Sequence, residues 1–219
     1  MIVAVVAVHP DDETLGAGGT LLRHHQDGDV LHWVIVTTVK GIPQYAAMEH
    51  TRDREIEQVA AAYGFQQVWS LEYPTTQLDQ IPHGEIIAKI SEVLHQIKPD
   101  ILYIPFYGDA HSDHRIIVEA LHSATKVFRL PTLRAVRMME VLSETNFALS
   151  GMLPFTPNYY VDITPFLDRK IEIMKIYRSE LGVHPFPRSE EAIRALAVLR
   201  GSESGFGAAE AFVTLFERW

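Results

Sequence analysis

The chain has 219 residues, enough for one domain with a sizeable core and short for two. Apolar residues are 47% and charged residues 21%, the balance of a globular protein that needs no disulfide or metal merely to hold its fold. The net charge of −9, without a Lys/Arg cluster, argues against nucleic acid as a partner, and the lack of cysteine removes disulfides, thiolate metal sites and cysteine nucleophiles.

Ile2 to Val8 is continuously apolar and rich in β-branched residues, as a strand buried on both faces should be. It is too short to cross a bilayer and has no basic leader or small-residue cleavage site, and no other stretch approaches ~20 apolar residues. No membrane span is expected, and the cysteine-free composition fits a cytoplasmic location. Thr14 to Gln26 predicts a helix, Val30 to Thr38 a strand, and Glu49 to Tyr63 a helix stopped by Gly64. Gln67 to Leu71 is a short strand, and Gly84 to Ile97 has apolar residues at helical spacing. Pro99 stops that helix before a strand at Ile101 to Pro105. Asp113 to Val127 is expected as a helix and Leu133 to Val141 as a strand.

The last third is less regular. Tyr159 to Asp162 reads as a short strand, Thr164 to Ser179 and Ser189 to Leu199 as helices, and Glu210 to Phe216 as a strand or a helix. The stretches "GVHPFPRS" and "RGSESGFG" read as loops. No repeat or linker divides residues 1–219, so one domain is expected. Strand–helix alternation over the first two thirds predicts a three-layer α/β/α sandwich around a mainly parallel sheet.

Two histidine–acid clusters stand out: His9-Pro10-Asp11-Asp12-Glu13 after the first strand, and His111-Ser112-Asp113-His114 after the fourth. In a doubly wound sheet of order 3-2-1-4-5, strands one and four are neighbours at the switch point, where ligands bind beyond the strand ends. That topology brings both clusters to one place. Imidazole nitrogens and a carboxylate suit Zn²⁺, and catalytic zinc commonly takes three protein ligands. His9 and Asp12 can bind from one turn, with a histidine of the second cluster completing the set. A divalent ion also offsets the repulsion among crowded acids. Helix capping alone suffices for Glu13 and is open for Asp113.

"GAGGT" invites a dinucleotide-loop reading, but Leu21 stands where G-x-G-x-x-G requires its third glycine. Close helix packing or approach to the site is the better reading. His184 lies in a proline-rimmed loop and is a candidate to face the site.

"VHPDDETLGAGGTL" and "HSDHR" resemble the A-H-P-D-D-E and H-x-D-H motifs of the LmbE-like (PIG-L) zinc deacetylases, with Val8 in place of alanine. "TRDREIEQVAAAYG" resembles that family's arginine-bearing helix, and "HPFPRSEEAIRALAVLRGSESG" the tail of its bacterial sugar-amide branch. The resemblance implies a Rossmann-like fold and a zinc enzyme that removes the acetyl group from an N-acetylglucosamine-type sugar or conjugate. It implies His9, Asp12 and His114 as zinc ligands and Asp11 as general base. His111 then stabilises the oxyanion, oriented by Asp113, and Arg52 contacts substrate. A small N-acetyl sugar and a second copy of the chain, in a homo-oligomer, are the implied partners.

The chemistry is coherent. Zinc polarises a poorly electrophilic amide and acidifies water toward pKa ~7. Asp11 and Asp12 are adjacent, so one binds the metal and the other stays free for base work. Either protonated Asp11 or His111 can serve the leaving amine. Two histidines and a carboxylate also describe the Fe(II) triad of oxygenases, and a metal-containing sugar-binding protein without catalysis is a third reading. The spare base and the second His–Asp pair favour hydrolysis.

Overall fold

The computed structural model describes residues 1–148 and 153–219. Its order is β1 (Ile2–Ala7), α1 (Asp12–Gln26), β2 (Val30–Thr38), α2 (Glu49–Tyr63), β3 (Gln67–Pro74), α3 (His83–Ile97) and β4 (Ile101–Ile104). Then follow α4 (Ser112–Ala124), β5 (Ala135–Met139), β6 (Tyr159–Asp162), α5 (Leu167–Met174), α6 (Glu190–Ser204) and β7 (Ala209–Glu217).

Because side chains alternate across a strand, the apolar run of β1 feeds two cores. Val3, Val5 and Ala7 pack against α1, α2, α5 and α6, whereas Ala4, Val6 and Val8 pack against α3 and α4. The result is the expected three-layer sandwich. The sheet order is β3-β2-β1-β4-β5-β7-β6, with β1 to β5 parallel and β7 antiparallel to both β5 and β6. Val5 lies between Trp33 of β2 and Tyr103 of β4. The chain leaves β1 and β4 in opposite directions, so their carboxyl ends open the switch-point crevice.

Helix α1 begins at Asp12, two residues earlier than expected, so Asp12 and Glu13 occupy its first turn. The glycines of "GAGGT" allow close approach: a Cβ on Gly16 would meet Met139 at 2.8 Å and one on Gly19 would meet Ile163 at 2.5 Å. Helix α4 stops at Ala124 rather than Val127, and β3 runs on to Pro74. The helix expected over Thr164 to Ser179 shrinks to α5, because the chain after Met174 turns to put Tyr177 against Glu13 and Glu180 against Arg52. Conversely, α6 continues through "RGSES", expected as a loop. Ser189 caps its start by accepting from the Ala192 N–H at 3.1 Å, and Gly205, at φ 80°, ends it. The Glu210 segment is a strand. Among the described residues no helix is long and apolar enough to cross a membrane.

Candidate active site

The turn between β1 and α1 is tied back by its own carboxylate. Asp12 Oδ2 accepts from the backbone N–H groups of Val8 and His9, each at 2.9 Å, and the Val8 carbonyl accepts from the Thr37 hydroxyl at 2.7 Å. This fold-back leaves Asp11 at φ 147°, a backbone region that favours glycine and costs roughly 1–3 kcal/mol. Glu13 holds it there. Its Oε2 accepts from the Asp11 N–H at 3.1 Å, while Oε1 accepts from the hydroxyls of Thr14 at 2.6 Å and Tyr177 at 2.8 Å. Burial pushes the Glu13 carboxyl up to about 7. Glu13 thus joins the site as the anchor of Asp11, beyond helix capping.

His114 arrives from the first turn of α4. Its Nε2 lies 3.3 Å from Asp12 Oδ2 and 3.4 Å from His9 Nδ1, and His9 Nδ1 lies 4.0 Å from Asp12 Oδ2. Metal bonds of ~2.0–2.1 Å at tetrahedral angles put ligand atoms about 3.3–3.4 Å apart, which two edges of this N₂O triangle match, and the longer His9–Asp12 edge closes on one divalent ion with a small shift of His9. The far sides of both rings face carboxylates. His114 Nδ1 bonds Asp109 Oδ2 at 2.8 Å, and His9 Nε2 faces Asp113 Oδ2 at 3.5 Å. Such partners orient ligand histidines and select the nitrogen presented to the ion.

Asp109 is fully buried and also accepts from the Thr145 hydroxyl at 2.7 Å. Sequence reading missed it; the sign was an acid five residues before His114, outside the H-x-D-H motif. Burial raises the Asp12 pKa, but His114 and His9 outweigh it and hold the group well below the ordinary carboxylate range. Burial lowers the His114 pKa, but Asp12 and Asp109 outweigh that and hold it well above the usual imidazole value.

His111 caps α4. Its Nδ1 accepts from the Asp113 N–H at 3.1 Å, which leaves the Nε2 hydrogen to be donated. Burial, reinforced by His9 and His114, brings its pKa down to about 4, so the ring is neutral near pH 7. Asp113 meets His111 through its backbone, because the carboxylate is drawn to His9 and to the Thr76 N–H at 2.7 Å.

Asp11 lines the cleft without binding at the triangle, and among the described residues nothing donates a hydrogen bond to its carboxylate. Burial, then Asp12 and Glu180, raises its pKa well above the ordinary value, partly countered by Arg188, whose Nε lies 4.0 Å from Oδ2. Asp11, Thr76 and Ser143, three of the five non-glycine residues with positive φ among the described residues, line this cleft of about 280 Å³. Strain held in place at one cleft is a mark of function.

Arg52 also lines the cleft, but its guanidinium is engaged by the Pro10 carbonyl and Ser179 Oγ at 3.2 Å each, Glu55 at 3.3 Å, and Glu180. His184 is exposed and stays out of the cleft. From the same loop it is Arg188 that enters, an arginine that sequence reading passed over.

The family model described as PIG-L, GlcNAc-PI de-N-acetylase, matches residues 4–125, more than half of the chain. The chain belongs to the PIG-L family. Both histidine–acid clusters lie inside the matched region. Diacetylchitobiose deacetylase of Thermococcus kodakarensis is 24% identical over 219 residues, covering 95% of this chain and 80% of that protein. A probable N-acetyl-alpha-D-glucosaminyl L-malate deacetylase 2 of Bacillus cereus is 26% identical over 192 residues, 81% of this chain and 83% of its own length. The crystal structure of the conserved protein TT1542 from Thermus thermophilus superposes with a TM-score of 0.75 at 27% identity, covering 100% of this chain and 96% of that one.

Proposed function

We propose that this PIG-L member is a zinc-dependent hydrolase that removes the acetyl group from an N-acetylglucosamine-type sugar, residues 1–219 acting as one catalytic domain. The reading rests on the juxtaposition of three convergent ligand atoms with a buried, unbonded carboxylate one residue away. Membership of the family and the two deacetylase relatives support the reaction class.

In this reading His9 Nδ1, Asp12 Oδ2 and His114 Nε2 hold the ion. What zinc supplies there when bound is Lewis acidity, which polarises an amide carbonyl and makes water more acidic. Asp11 takes the proton from the attacking water. Its raised pKa suits that work, since a base poised near the working pH both accepts and returns a proton. Attack puts charge on the carbonyl oxygen, and the neutral His111 donates its Nε2 hydrogen to that oxygen. Collapse breaks the C–N bond and releases acetate. Protonated Asp11 gives its proton to the leaving nitrogen, a role for which His111, neutral near pH 7, is the weaker acid. Glu13 keeps Asp11 in its strained backbone, Asp109 fixes the His114 ring, and the Asp113 carboxylate faces the His9 ring.

The test is acetate release by the zinc-loaded protein over N-acetylglucosamine, its β-glycosides, diacetylchitobiose, a nucleotide-linked N-acetyl sugar and the malate conjugate. Release from at least one is expected; release from none would overturn the reading.

A further inference from the structure

The deacetylase reading leaves open which N-acetyl sugar enters, and the charges of the cleft bear on that choice. Lys40, Arg52 and Arg188 are its lysine and arginine side chains. Each already has an acidic partner within the chain, loosely for the half-exposed Lys40 and tightly for the two arginines. Lys40 Nζ pairs with Asp53 at 2.9 Å. Arg52, with its side chain only 8% exposed, is bound by Glu180 Oε1, Glu55, Ser179 and the Pro10 carbonyl. Arg188 donates from Nη2 to Glu180 Oε2 at 3.1 Å, from Nε to the Glu180 carbonyl at 2.9 Å, and from Nη1 to Ser143 Oγ at 2.7 Å.

One carboxylate therefore bridges two guanidiniums. Glu180 occupies, from within the chain, the place where a carboxylate or phosphate on a substrate would be gripped by both arginines. Charge-assisted bonds between arginine and carboxylate are among the stronger hydrogen bonds, and here each guanidinium gives one to Glu180 before any substrate arrives. An anionic substrate would have to displace Glu180 or lie beside Glu144 and Glu49, which also line the cleft. Like charges set side by side disfavour the wrong partner by several-fold to many-fold in affinity. A neutral sugar meets no such opposition, and its hydroxyls can bond the same carboxylates.

We infer that the cleft selects a neutral N-acetylglucosamine oligosaccharide or glycoside over an anionic conjugate, and that Glu180 sets this preference by engaging Arg52 and Arg188. The inference rests on the deacetylase reading. It separates the two kinds of substrate named for the relatives: diacetylchitobiose is uncharged, and the malate conjugate carries two carboxylates.

The experiment measures kcat/KM for acetate release by zinc-loaded protein on three compounds: methyl N-acetylglucosaminide, diacetylchitobiose and the N-acetylglucosaminyl malate conjugate. A neutral compound is expected to exceed the malate conjugate by about 10-fold or more at low salt, with the gap narrowing as salt screens the repulsion. Glu180→Gln should shift the ratio toward the malate conjugate by about 10-fold, since it removes the negative charge that both arginines share. Comparing two substrates within one variant cancels any general loss of activity. If Glu180→Gln fails to fold, the wild-type ratio, its salt dependence and Glu144→Gln, which leaves the arginine bridge intact and should shift the ratio by about 2–3-fold, decide the matter. Equal or faster turnover of the malate conjugate by the wild type, or an unchanged ratio in a folded Glu180→Gln, would overturn the inference while leaving the deacetylase reading standing. Acetate from none of the three would overturn the inference, and the deacetylase reading falls with it only if the wider series of N-acetyl sugars also releases none.

Discussion

Helix α1 is flanked by two buried ionic assemblies, and they differ in how their bonding capacity is used. Near its middle, Lys170 Nζ bonds the Leu15 carbonyl at 2.8 Å and Glu210 Oε1 at 2.7 Å, while Glu210 also accepts from the N–H groups of Gly19 and Thr20. The pair is buried and its charges are answered inside the chain. At the start of the helix, the donor atoms of His9, Asp12 and His114 converge on one point, and beside them the Asp11 carboxylate has no hydrogen-bond donor among the described residues. Buried charge alone therefore does not mark a site. Buried charge with unspent bonding capacity, in a strained turn at a switch point, does.

The contrast can be broken from either side. The largest effect is expected from Asp11→Asn, which should reduce acetate release by ~10²–10⁴-fold while leaving metal content and thermal stability at or above wild type. A variant that keeps its activity would remove Asp11 as the base. At the other assembly, Lys170→Ala should cost about 3–5 kcal/mol in denaturant unfolding, because it strands Glu210, yet metal binding by the folded fraction should persist.

A smaller effect is linked to pH. The Glu13 carboxyl is raised by burial from its ordinary value of 4.5 to about 7, so the folded chain binds its proton more tightly than the unfolded chain. Its contribution is therefore full below about 4.5 and is lost as pH rises through about 7. Glu13→Gln should flatten that decline, on the order of 3 kcal/mol, in unfolding measured across this window. Asp109→Asn should weaken zinc binding by about 10-fold, up to 100-fold, in chelator competition, through loss of the His114 partner. His184→Ala should leave kcat/KM within about 2-fold, since the residue is exposed and outside the cleft.

Much of the site was legible in the sequence because it lies in short-range signals. An apolar run breaking into His9 to Glu13 announces a strand end, and the βα alternation then orders the strands and brings His114 alongside. What escaped depends on contacts across the chain. Asp109 reads as an ordinary loop acid until β4 and α4 turn it onto His114. Arg188 and Glu180 gain their meaning only when the segment after α5 folds back over Arg52. The same fold-back cut short the predicted helix there, while α6 ran through "RGSES" because Gly201 packs against Ala208 and Gly205 does the stopping. Which group of Asp113 meets His111 was hidden for a local reason: at the first turn of α4 it is the N–H that faces the capping ring.

The most direct measurement follows acetate release from an N-acetyl sugar substrate before chelation, after chelation with metal loss verified by elemental analysis, and after zinc is restored. The account predicts that activity falls to background with the metal and returns at one zinc per chain. Activity that persists in protein verified to be metal-free would contradict it.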